Sequence, residues 1–197
     1  MEKISISKGN MKIGHIASFS LPPIESCIFH KYCADKCYAK KAYKAYTNTK
    51  NAYNRNYRIA KNNLEDLKNQ LVEELRSYKH SYFRIHVSGD FYSQAYLDAW
   101  KEICKEFPNI NFMAYTKAYT FDYDGMPKNM EVIFSTFDNM PAGTSERLRN
   151  KYNRPIALAG NSNPDKDYYN HCIDDCDQCK LCWGLSKTSK GVFFHYH

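Results

Sequence analysis

Seven of the eight cysteines fall into two groups near opposite ends of the 197-residue chain, Cys27-x5-Cys33-x3-Cys37 and Cys172-x3-Cys176-x2-Cys179-x2-Cys182. A fold must then gather three thiols at one place and four at another, which is what metal centres ask for. A disulfide framework suits short secreted chains, and the polar, basic opening MEKISISKGNMKIGH does not resemble a signal peptide. No run approaches the roughly 18 apolar residues of a membrane span. The expectation is a cytoplasmic protein, without a membrane partner, whose reduced thiols are free to bind metal.

With 43% hydrophobic and 15% aromatic residues, the chain is globular in composition and long enough for one domain over residues 1–197. The formal net charge of +7 counts every cysteine as a neutral thiol. Two four-iron cubanes on three and four thiolates would bring charges of about −1 and about −2, leaving about +4. Global charge is thus weak evidence for a nucleic-acid partner. The local distribution says more: nine Lys or Arg between Lys31 and Lys61 face one acid, Asp35, with Tyr32, Tyr38, Tyr43, Tyr46, Tyr53 and Tyr57 among them. Basic residues among aromatics can track phosphates and stack bases. Equally, Tyr43, Tyr46, Tyr53 and Tyr57 recur at helical spacing, as one buried stripe with a solvated basic face behind it.

Short β-branched or aromatic runs alternate with helical stretches, the pattern of βα units and a parallel sheet. Six strands are expected, at Lys12 to Ser18, Tyr82 to Val87, Asn111 to Tyr115, Glu131 to Ser135, Pro155 to Ala159 and Val192 to Tyr196. A long helical region from Ala34 to Ser77 should break near Asn62 or Asn63, and a helix is expected from Ser93 to Glu106. Tyr96, Leu97, Trp100, Ile103, Cys104 and Phe107 form its core-facing stripe, so Cys104 reads as a small buried hydrophobe. Thr116 to Asn129 reads as a loop, Ala142 to Tyr152 as a helix, and Asn161 to Tyr169 as a polar loop.

The C-terminal group packs four thiols into eleven residues. Its spacing mirrors the C-x2-C-x2-C-x3-C run of bacterial ferredoxins, and it suits a cubane better than structural zinc, which draws paired knuckles from separate segments. Three thiolates at the N-terminal group would leave one iron of a 4Fe-4S cluster open to a ligand. The alternative there is zinc completed by His30 or by a cysteine of the far group.

The order strand, Cys33-x3-Cys37-Tyr38-Ala39, then His86-Val87-Ser88-Gly89-Asp90-Phe91, then helix and Tyr115-Thr116-Lys117, resembles the radical S-adenosylmethionine (SAM) enzymes. That resemblance implies a partial (β/α)6 barrel with cysteine-rich loops near both ends, cluster cysteines after the first strand and a cofactor-binding turn after the second. The chain departs from the family's C-x3-C-x2-C, because Lys40 occupies the third position and Cys27 must stand in for it. Ser88-Gly89-Asp90 replaces Gly-Gly-Glu, and its carboxylate would hold the SAM amino group. The chain also resembles a group of small phage-encoded cysteine-rich proteins, through Phe19 to Pro22, Cys37 to Ala39, Ser88 to Phe91, Tyr115 to Lys117 and Cys176 to Trp183.

Asp90, Thr116, Lys117, Ser135 and Asp138 all fall at or just past strand C-termini, where parallel (β/α) folds build their sites. With Ser88 and Gly89 they form the candidate cofactor set. Asp90 reads equally as a helix N-cap, although Ser93 can take that role. The leading expectation is an iron-sulfur enzyme with one or two 4Fe-4S clusters, SAM, an electron donor, and an unidentified small-molecule or nucleic-acid substrate. The rival is a non-catalytic module, stabilised by zinc or iron-sulfur, that binds nucleic acid through the Lys31 to Lys61 face.

Overall fold

The computed structural model describes residues 2–161 and 164–196, so Ser162 and Asn163 of the expected polar loop lie outside the described residues. It is a mixed α/β fold. The chain runs β1 (Ile6–Ser7), β2 (Ala17–Phe19), α1 (Ala39–Ala45), α2 (Thr47–Asn62), α3 (Leu64–Arg76), β3 (Tyr82–Ile85), α4 (Gln94–Glu106), β4 (Asn111–Thr116) and β5 (Met130–Phe137). There follow α5 (Thr144–Tyr152), β6 (Ile156–Gly160), β7 (Tyr169–His171), α6 (Cys176–Cys179), a 3-10 helix (Leu181–Thr188) and β8 (Gly191–His195).

The strands form one eight-stranded sheet in the order β1-β2-β3-β4-β5-β6-β8-β7. The six expected strands are its parallel centre, taken in sequence order, while β1 adds antiparallel at one edge and β7 parallel at the other. Among the described residues the two edge strands, β1 and β7, do not pair with each other, so no barrel closure is seen. Right-handed crossovers between strands laid down in order place the connecting helices on one face. That face holds the larger core, where Leu67 and Leu71 of α3 and Trp100 and Ile103 of α4 pack with Phe83, Phe112 and Phe134. The residues between them on the strands, Met113 and Ile133, face the other side, where Trp183 and Leu185 from the cysteine-rich end cover them. Burial on both faces explains the near-continuous apolar strands.

Several expectations require correction. Lys12 to Ser18 is not one strand: Asn10 Oδ1 accepts from the amides of Lys12 and Ile13, a side-chain turn that competes with extended backbone, and pairing begins at Ala17. The helical region starts only at Ala39, and has an additional break at Tyr46 besides the one at Asn63. The tyrosine stripe does not form. Tyr46 is the corner between α1 and α2 and is 64% exposed, Tyr43 stacks on Tyr53 instead, and the buried side of α2 is Asn56, Ile59 and Ala60.

Candidate metal and cofactor centres

The first cysteine loop is built onto the turn that follows β3. Leaving β2, Ser20 accepts from the amides of Val87 and Ser88 through its hydroxyl, and the Leu21 amide donates to the Ser88 carbonyl at 2.9 Å. Gly89 sits at φ +87°, where a Cβ would come within 2.7 Å of both Ser26 Oγ and Leu21 Cβ, so the turn needs glycine for conformation and for contact. The Tyr38 hydroxyl donates back to the Val87 carbonyl at 2.5 Å. The CYA and SGDF segments are thus two halves of one structure.

Asp90, only 1% exposed, is the polar hinge of this region. Its Oδ1 accepts from the Phe91 amide and, at 2.6 Å, from the Thr116 hydroxyl; its Oδ2 accepts from the Lys117 amide at 2.9 Å and pairs with Lys117 Nζ at 3.0 Å. The helix-cap alternative is overturned, because Ser93 accepts from the Tyr96 amide and is the N-cap of α4. Every acceptor direction of the carboxylate is used, so an ammonium ligand at Asp90 would take the position Lys117 holds. Beside it, Ser88 Oγ is buried without a hydrogen-bond partner, a polar atom that a ligand or water would satisfy.

The thiols face this pair. Burial pushes Cys27 up to about 11 and also raises Cys33, while the Lys117 charge pulls both the other way. Burial opposes the charge of Lys117, but Asp90 and the two thiols outweigh it and raise its pKa. Cys33 interacts with Cys37 in turn. The His30 ring contacts the Cys27 carbonyl through Nδ1 at 2.6 Å, which leaves Nε2 as its candidate ligand atom. His86, at φ +64°, packs between Phe91 and Tyr96, and burial lowers its pKa to about 3, so it is a neutral core residue.

Ser135 and Asp138 stand apart from the Asp90 cluster. Ser135 offers its carbonyl to the Tyr119 hydroxyl. Asp138 is exposed, and it accepts from the Asn161 amide at 2.8 Å and the Tyr196 hydroxyl at 2.6 Å, tying together the ends of β5, β6 and β8.

The second thiol group lies on the face of the sheet opposite α3 and α4, on α6 and the 3-10 helix. The Cys172 amide donates to Phe193, the Cys176 amide to Lys12, and Asp175 caps α6 by accepting from the Gln178 amide. The Trp183 indole donates to the Phe83 carbonyl at 3.1 Å and anchors the segment to β3. The Tyr115 hydroxyl donates to Cys182 Sγ at 2.9 Å. Cys172, Cys176 and Cys182 interact with one another, and Cys179, the exposed member, with Cys176.

Arg84 is the residue that spacing analysis missed. It is 7% exposed, its Nε donates to the His86 carbonyl, and its guanidinium lies 4.5 Å over the Tyr115 ring. Among the described residues no carboxylate forms a salt bridge with it. The groups that feel its charge include two thiols of the quartet: burial raises Cys176 and takes Cys182 to about 11, and Arg84 pulls both down. A charged residue inside an otherwise apolar strand was the available signal.

A lone ion and a cluster ask different spacings of their thiolates. Tetrahedral zinc thiolate, with Zn–S near 2.3 Å, would bring sulfurs within ~3.8 Å of each other. Among the described residues no three His, Cys, Asp or Glu side chains converge in a way that could hold a single metal ion. A cubane places each thiolate on a different corner and so asks for wider spacing, and its net negative charge suits a buried cation.

Residues 2–185 match the Gene product 88 family. The Gene 88 protein of Mycobacterium phage L5 is 32% identical over 124 residues, which cover 57% of this chain and 52% of that protein. The Gene 88 protein of Mycobacterium phage D29 is 30% identical over 124 residues, with the same coverage. The matched part of the chain thus spans about half the length of these curated relatives. No solved structure matches. The expected likeness to small phage-encoded proteins is met, and the chain belongs to the Gene product 88 family.

Proposed function

We propose that this protein is an iron-sulfur enzyme of the radical-SAM kind, with its parallel strands as a partial barrel and its site at their C-terminal ends. Cys27, Cys33 and Cys37 would hold a 4Fe-4S cluster with one open iron, and Cys172, Cys176, Cys179 and Cys182 an auxiliary cluster. Ser88, Gly89 and Asp90 would receive SAM. With cluster and SAM bound, the chemistry supplied is abstraction of a hydrogen atom from an unreactive carbon. Lys117 would offset thiolate charge at Cys27 and Cys33, and the amino group of SAM would replace it at Asp90. Phe29, stacked on Tyr119 at 6.5 Å, screens the mouth from water.

The observation that carries the reading is Arg84. A guanidinium without a carboxylate partner in a protein interior is strongly unfavourable, and this one acts electrostatically on two thiols of the quartet. Neutral thiols would leave that charge uncompensated. An anionic cluster on the same sulfurs supplies the counter-charge.

Anaerobic purification with iron, sulfide and zinc counts tests the metal. We expect close to two cubane equivalents and a paramagnetic resonance signal of the reduced protein that changes when SAM is added. Stoichiometric zinc without sulfide would end the iron-sulfur reading. A fully loaded protein indifferent to SAM would end the enzyme reading and leave a cluster-stabilised scaffold.

A further inference from the structure

Several surface cations are paired with acids. Lys3 pairs with Glu73, Arg58 with Glu2, Lys68 with Glu65 and Glu102, Arg76 with Glu106, and Lys12 with Asp174. The segment around and after the first cysteine loop is set apart by its charge, with nine Lys or Arg between Lys31 and Lys61 against one acid, Asp35. Lys31 lies between Cys27 and Cys33, and Lys36 between Cys33 and Cys37; their ammonium groups rest on the rings of Tyr32 at 5.5 Å and Tyr196 at 4.0 Å. Lys44 of α1 and Lys50 of α2 are exposed. Among the described residues none of these four has a salt bridge to a carboxylate. They leave this segment strongly positive, with Asp138 acting on Lys36 from outside it.

Aromatic rings interrupt this surface. Phe29 is 40% exposed, Tyr38 51% and Tyr46 64%. Phe29 is held against Tyr119 and Tyr38 by its bond to Val87, while Tyr46 forms the corner between two helices through its backbone and leaves its ring exposed. Rings at the surface among lysines offer phosphate contacts and a stacking platform together. Membrane insertion would instead want contiguous apolar side chains.

We infer that the mouth of the first cysteine centre binds a single-stranded nucleic acid, with Lys31, Lys36, Lys44 and Lys50 on its phosphates and an unpaired base stacked on Tyr46. This rests on the reading of that mouth as the reaction site, and it makes a nucleotide within a strand the substrate class. Single strands are selected because a duplex keeps its base faces stacked internally and cannot lend one to Tyr46.

The test is fluorescence anisotropy of the anaerobically purified full chain with a labelled mixed-sequence oligodeoxynucleotide of about 16 nucleotides, over a range of salt. The same samples are assayed for iron and sulfide. Log K should fall with log salt, and Lys31→Gln, Lys44→Gln and Lys50→Gln together should reduce that slope by about 2. Tyr46→Ala should weaken binding on the order of tenfold at unchanged slope. Lys128→Gln, in the loop before β5 at the opposite ends of the strands, should change neither. Duplex bound as tightly as single strand, anionic vesicles bound in place of the oligonucleotide, or an unaltered slope in the triple variant would each overturn the inference. Loaded protein that ignores the oligonucleotide overturns it and leaves the cluster reading intact; predicted binding by iron-free protein does the reverse.

Discussion

Arg84 and Lys117 are two buried cations with different partners. Lys117 reaches Asp90 at 3.0 Å, whereas Arg84 has a carbonyl, a ring and nearby thiols. Arg84→Met should therefore act with opposite sign in the two metal states. In metal-free protein it removes an uncompensated buried charge, and stability should rise by about 1–4 kcal/mol. In loaded protein it removes the counter-charge of the second centre, and stability and iron retention should both fall. Urea melts before and after chelation measure both arms. A loss of equal size in both states would show that Arg84 is held by packing and not by thiolate charge.

At the scale of elements, the turn between β3 and α4 divides two jobs between two residues that look interchangeable in a sequence. Ser93 caps the helix and Asp90 pairs with Lys117. Ser93→Ala should lose about 1 kcal/mol, the usual worth of an N-cap. Asp90→Ala should lose about 3–5 kcal/mol, because it strands a buried ammonium. Equal losses in thermal or urea melts would return Asp90 to a capping role. Strand β1 is a different matter. Its two residues carry no periodicity, and the segment is held by side-chain amides, Asn56 bonding both Ser5 and Ser20 while Gln70 bonds Glu2 and Ile4. Nothing local in the sequence announces such a strand, since the side-chain amides that hold the segment lie 51 to 68 residues away.

Across the whole molecule the sheet separates the two thiol groups. The first stands at the strand ends beside Lys117; the second lies with Trp183 and Leu185 on the face opposite α3 and α4. Replacing Cys176 and Cys179 together should then remove one cluster and leave the other, read as about half the iron and sulfide. Loss of both would mean that the groups share one centre. The double variant should also loosen the face that Trp183 covers, visible as faster hydrogen exchange on β3 and β4. Among the described residues no helix is long and apolar enough to cross a membrane.

Cysteine spacing, strand order and the amphipathic stripe of α4 were legible from the residues alone, because each is a local pattern: ligand intervals, apolar runs between turn residues, and a 3.6-residue period. Cys104, buried at 0% exposure on that stripe, was legible for the same reason. The two extra edge strands of the sheet, the role of Asp90, the exposure of Tyr46 and the placement of Arg84 were decided only by the tertiary structure. Each depends on which distant group a side chain meets. Thr116, Lys117 and the thiols reach Asp90 from other strands and loops, and burial fixes what a lone charge must pair with. Periodicity carries a residue to a face of its element, and only packing decides what stands opposite.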